Sequence, residues 1–203
     1  MAQRYEPAPL RLFIAFDLPG AVKDELVALQ AAWQRTAGET AAVVKWVPIG
    51  GVHLTLKFLG AAPPAQVDLI RLALAQAMGG LRALRLRLAA VGVFPGPQRP
   101  RVLWVGLAGE VEALAVVQRR VEQALAPLGY PPEGRFTPHL TLGRLRDQAS
   151  TAERRAVGQA AVALPAPPGA SFVLDVVHVI RSELRPSGAR YTSLAQVALE
   201  TER

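Results

Sequence analysis

The tetrapeptide His-Leu-Thr-Leu occurs twice in this chain, at residues 53–56 and again at 139–142. Only three histidines are present in 203 residues, so the repeat holds two of them. Both copies sit in short runs with strand composition, VHLTLKFLG and FTPHLTLGRL, punctuated by Gly or Pro. On a β-strand alternate side chains share a face, so each His and its Thr point one way while both Leu side chains point into a core. The chain must therefore place two strands of matched amphipathicity in one fold.

The surrounding pattern repeats as well. RLFIAFD, residues 11–17, reads as a buried strand stopped by Leu18-Pro19-Gly20. Val22, Leu26, Leu29 and Trp33 then recur at the spacing of one helical face. VVKWVP and VHLTLKFLG, separated by Ile49-Gly50-Gly51, predict a hairpin. After Pro63 and Pro64 a helix with Val67, Ile70, Leu74 and Met78 on one face follows. LRALRLRLAAVGVF and RVLWVGL predict two strands, EVEALAVVQRRVEQALAPLG a helix, and FTPHLTLGRL the second motif strand. The end of the chain reads as a helix over 151–159, one strand in SFVLDVVHVIRS and another in RYTSLAQVAL. Each half thus supplies helix-flanked antiparallel strands and one HLTL strand. An internal duplication at domain scale, with no linker between the halves, predicts two lobes sharing a cleft within one domain, residues 1–203.

The chemistry this pattern suits is acid–base catalysis. Two imidazoles facing each other across a cleft can divide the labour, one accepting a proton and the other donating one. A zinc site is disfavoured because neither His has a second His or a carboxylate two to four positions away, and the chain has no cysteine. The missing cysteine also removes disulfides and a thiolate nucleophile, and no Gly-x-Ser-x-Gly elbow is present. Metal-free acid–base chemistry with two threonines and nearby cations fits a phosphate, whose non-bridging oxygens gather charge during transfer. By the two-residue strand period Lys57 shares the face of His53 and Thr55, and Arg144 lies just past the second motif, where a guanidinium can bind phosphate oxygens in pairs. The residues alone leave open which His is acid and which is base. The formal net charge of +7 favours polyanionic partners. His178, among apolar neighbours, reads as a packed strand residue. With no signal-peptide h-region and no membrane-length apolar run, the expectation is a cytoplasmic protein with no membrane association.

The motifs resemble those of the 2H phosphoesterases, and the flanking segments RLFIAFDLP, VFPGPQRPRVLWVGL and IRSELRPSGARYTSLAQVAL are similar to the RNA 2′,3′-cyclic phosphodiesterase branch, also called 2′-5′ RNA ligases. The resemblance covers the whole chain. It implies an α+β fold of two pseudo-symmetric lobes, each an antiparallel sheet flanked by helices, enclosing a central groove. It implies hydrolysis of RNA 2′,3′-cyclic phosphate ends to 2′-phosphates without metal or cofactor, by a monomer. It further implies His139 as general base, His53 as general acid, Thr55, Thr141 and Arg144 on the phosphate, and a base-stacking aromatic from the first strand, Phe16 or otherwise Phe13. Two alternatives remain beside it: ATP-independent 2′-5′ ligation by the same residues, and a non-catalytic RNA-binding module.

Overall fold

The first strand decides the layering. Strand β1, Leu10–Phe16, alternates Leu12, Ile14 and Phe16 toward one large core and Phe13 and Ala15 toward the opposite face, where they meet Ile180. Hydrophobic on both faces, such a strand must lie inside a sheet. It does, pairing antiparallel with β3 (Leu54–Ala62) on one side and β8 (Val176–Arg185) on the other. The structure, a computed structural model, describes residues 8–167, 169–186 and 188–201. The amino-terminal run read above for a targeting signal lies outside them.

Four helices cover the core face. Helix α1, Gly20–Ala37, buries the predicted quartet Val22, Leu26, Leu29 and Trp33 and adds Gln30. Helix α2, Gln66–Met78, buries Ile70, Leu74 and Met78; α3, Val111–Leu125, buries among others Leu114, Val117 and Val121. Helix α4, Thr151–Ala163, starts at a capping box in which Ser150 and Glu153 satisfy each other's backbone N–H groups, and it runs four residues past its expected end. The helices pair as α1 with α4 and α2 with α3. Among the described residues no helix is long and apolar enough to cross a membrane.

The remaining strands are β2 (Val44–Trp46), β4 (Leu84–Phe94), β5 (Val102–Gly109), β6 (His139–Leu145), β7 (Phe172–Leu174) and β9 (Gly188–Ala198). They join one sheet in the order β7-β4-β5-β6-β3-β1-β8-β9, with β2 alongside β6. Outward from the β6·β3 seam, the order is pseudo-symmetric. The third strand after each opening strand crosses over: β4 pairs with β5 and β8 pairs with β1. The fold is the expected α+β arrangement of antiparallel strands and covering helices; within it each half of the sheet takes strands from both halves of the chain.

Two local expectations are corrected. The predicted hairpin of β2 with β3 does not form, because residues 49–51 make a 3-10 turn and β2 pairs instead with β6 through Trp46↔Gly143 and Lys45↔Arg144. The single strand predicted over SFVLDVVHVIRS breaks at Asp175, whose carbonyl accepts from Leu199 N at 2.6 Å. Its first part joins β4 and its second joins β1. Hydrophobicity reads the same through the break, so only the pairing partners separate the two.

Helix α4 is held against the loop between β4 and β5. Arg154 donates to Pro100 O at 3.2 Å and to Arg146 O at 3.0 Å. A Cβ on Gly158 would lie 2.1 Å from Pro97 O. Alanine forms helices better than glycine by about 1 kcal/mol, yet this contact should reverse the sign. Gly158→Ala is expected to lower stability by about 1–3 kcal/mol, as overpacking does. A urea midpoint that rises instead would show that the loop yields.

Candidate active site

The two motif strands meet at their second residues. Leu54 and Leu140 are register partners in the antiparallel β3·β6 pair, and both are fully buried. One step to either side, the antiparallel register sets His53 opposite Thr141 and Thr55 opposite His139. The two histidines are thus diagonal neighbours, and ordinary sheet geometry puts such positions about 7–8 Å apart. All four side chains, with Arg144, line one groove of about 810 Å³.

Both strands then bulge at the same place. Between Ile14↔Lys57 and Ala15↔Thr55, β3 advances two residues while β1 advances one, leaving Leu56 as the extra residue. Between Leu103↔Gly143 and Trp104↔Thr141, β6 does the same at Leu142. The alternation therefore flips after each motif, and residues 53–59 and 139–145 share one sequence of half-buried, buried and exposed positions. In β6 the flip turns Arg144 to the groove. In β3 it corrects the reading of Lys57, whose side chain turns away from the phosphate face toward α3 and is 2% exposed. Phe58 takes the position equivalent to Arg144, 52% exposed on the groove. Strand period alone misses Phe58; laying HLTLKF over HLTLGR pairs it with Arg144 and could have found it.

Each imidazole is anchored in the same way. His53 Nδ1 lies 2.8 Å from Gly51 O and His139 Nδ1 lies 2.7 Å from Thr137 O. A carbonyl only accepts, so both rings carry the proton on Nδ1 and present Nε2 as the exchangeable nitrogen. Aromatic rings hold the orientation. Phe13 stacks on His53 with centroids 4.5 Å apart and Tyr191 meets it edge-on at 5.2 Å; Phe94 meets His139 edge-on at 5.1 Å. Phe16 is corrected as a base-stacking candidate: it is fully buried in the helix-side core, because in β1 the odd positions, Phe13 included, face the groove. Phe13 itself is 3% exposed and occupied by His53. No sequence pattern links Tyr191 to the motif; it reaches the site through the β8·β9 hairpin.

Burial pushes the His53 imidazole below its ordinary value, against the upward pull of its bond to Gly51 O and of the Asp17 carboxylate. His178 is lowered by burial too, opposed by Asp17 and Asp175; it lies away from the groove, with Nδ1 3.0 Å from Ser193 Oγ. Among the described residues no three His, Asp or Glu side chains come together as a metal site. The groove that holds both motif histidines is lined by hydroxyls, aromatic rings and a guanidinium, a set suited to holding an anion.

Comparisons with known proteins bear on the family and the fold. The family model of the 2′-5′ RNA ligase superfamily matches residues 22–185. The chain is 29% identical over 185 residues to the RNA 2′,3′-cyclic phosphodiesterase of Methanothermobacter thermautotrophicus, covering 91% of this chain and 96% of that one. It is 32% identical over 200 residues to the protein of the same name from Thermus thermophilus, covering 95% and 92%. A crystal structure of a Thermus thermophilus protein superposes with a TM-score of 0.72 at 28% identity, over 96% of this chain and all of that one.

Lys57, turned inward by the bulge, ion-pairs with Glu122 of α3 and donates to Pro131 O at 2.8 Å. Gln118 donates to the other Glu122 oxygen at 2.9 Å. This buried network ties β3 and α3 to the segment leading to His139. Glu122→Ala would leave the ammonium buried without its counter-charge, a change that costs about 3–5 kcal/mol in such settings. The expected result is a large drop in the denaturation midpoint; a loss below about 1 kcal/mol would mean that Lys57 finds water.

Proposed function

This chain belongs to the 2′-5′ RNA ligase superfamily, and on that premise we propose that it hydrolyses RNA 2′,3′-cyclic phosphate ends to 2′-phosphates, as a cytoplasmic monomer. The observation that carries the proposal is the pair of Nδ1-anchored imidazoles, each beside the other motif's threonine on one groove. Matched Nδ1 anchoring of two imidazoles supports catalysis over binding alone, since a binding platform does not call for it.

In the proposed reaction His139 Nε2 takes a proton from the attacking water as its oxygen closes on phosphorus. The P–O3′ bond breaks, and His53 Nε2–H delivers a proton to O3′, leaving a 2′-monoester and a free 3′-hydroxyl. Thr55 and Thr141 hydroxyls donate to the non-bridging oxygens, and Arg144 supplies the charge that offsets theirs. A general acid must be protonated, and burial works against that at His53. The bound phosphate anion works the other way, raising the imidazole again once substrate is in place. The same residues run the step with an RNA 5′-hydroxyl in place of water, giving 2′-5′ ligation; in water at ordinary RNA concentrations hydrolysis is the expected outcome.

Incubation of a cyclic-phosphate-ended oligonucleotide with the protein in EDTA should give a 2′-monoester by phosphorus NMR; no turnover, or turnover only with added divalent metal, would sink the proposal. His53→Ala and His139→Ala should each lower kcat by about 10²–10⁴-fold with RNA affinity little changed. An unchanged kcat in both would remove the histidines from the reaction, and a wild-type protein that binds the RNA without turning it over would leave the RNA-binding reading instead.

The pH profile tests the depressed titration of His53. A bell curve places the lower of two pKa values on its acid limb whichever histidine it belongs to, so kcat/KM should show a limb below the ordinary imidazole value of 6.5. A profile with no pKa below that value would show that burial does not depress the His53 imidazole.

A further inference from the structure

The groove does not end at the histidines. Its lining continues along β1 past Phe13 to Arg11, and along the β8·β9 hairpin through Ser182 and Leu184. Arg11 and Phe13 are two residues apart on one strand face, about 6.6–6.8 Å along β1. The register Leu12↔Arg181 sets Arg11 beside Ser182, with Ala61 as its partner on β3. Both neighbours are small, so the guanidinium has room above the groove floor.

Arg11 is exposed and forms no ion pair among the described residues. That contrasts with the adjacent strand, where Arg181 and Arg185 both engage Glu183. A guanidinium without a carboxylate, on the floor of a groove that already holds Arg144, is placed for an anion other than the reacting phosphate. Phe58 and Tyr191 line the same groove and are 52% and 37% exposed. Aromatic faces of that kind accept bases regardless of sequence.

We propose that the groove takes at least two nucleotides, and that Arg11 binds the phosphodiester on the 5′ side of the nucleotide bearing the cyclic phosphate. The preferred substrate is then an oligonucleotide end rather than a free cyclic mononucleotide. The inference rests on the hydrolase reading above and adds to it a subsite for the phosphodiester next to the reacting end. An arginine suits the task because its planar fork meets two phosphate oxygens at once, whereas a lysine offers a point charge.

The test compares kcat/KM for a dinucleotide ending in a 2′,3′-cyclic phosphate with that for the corresponding cyclic mononucleotide. The dinucleotide should be favoured about tenfold or more, the size of one charge-assisted contact. Arg11→Gln should bring the ratio close to one, and Arg11→Lys should retain part of it. The log–log salt slope for the dinucleotide should become shallower by about 0.7 in Arg11→Gln, the value for one phosphate contact on a single strand. A wild-type ratio near one, or a ratio that Arg11→Gln leaves unchanged, overturns the subsite while the hydrolase reading stands. Absence of turnover on both substrates by the wild-type protein overturns the hydrolase reading, and the subsite with it.

Discussion

One antiparallel residue pair, Leu54 with Leu140, joins the two halves of the sheet, and the groove is organised around it. Because the pair is buried on the helix side, its flanking residues must face the other way. That brings each His opposite the other strand's Thr. A shift of one residue would send both imidazoles into the core and both leucines into the groove, so the hydrophobic demand of two leucines fixes the polar site. The bulges at Leu56 and Leu142 then end the regular alternation beyond the motifs.

The same seam explains where charge is tolerated. Arg144 and Arg11 stay on the solvated groove, where a bound phosphate can replace water around them. Lys57 is forced inward, and the protein meets the cost of its burial with Glu122, Gln118 and a backbone carbonyl. His53 lies between these extremes. It is anchored by Gly51 O and walled by Phe13 and Tyr191, and the burial that orients the ring also disfavours its charged form. Orientation and protonation pull against each other at one residue, and an anionic substrate is what reconciles them.

Much of this was legible in the chain. The helical quartet of α1, the strand character of β1 and the two His-Thr faces follow from periodicity, because a 3.6-residue or two-residue repeat of apolar side chains has few ways to be buried. Local patterns do not encode partners. β2 reads as one arm of a hairpin with β3 but pairs with β6, and the run through Asp175 reads as one strand but serves two. Lys57 and Phe16 fail for related reasons: one lies beyond a bulge that period-two counting does not foresee, and the other on a strand whose two faces are both apolar.

By itself the sequence determined that two matched strands would each offer an imidazole and a hydroxyl on one face, since side-chain alternation is a property of the extended backbone. It also determined the helices that would cover the opposite face. Only the tertiary structure decided that β3 and β6 lie side by side in antiparallel register, that Phe58 and not Lys57 turns to the groove, and that Tyr191 closes on His53. Those facts depend on hydrogen-bond pairing between segments far apart in the chain, where one extra residue in a strand reverses which side chains meet.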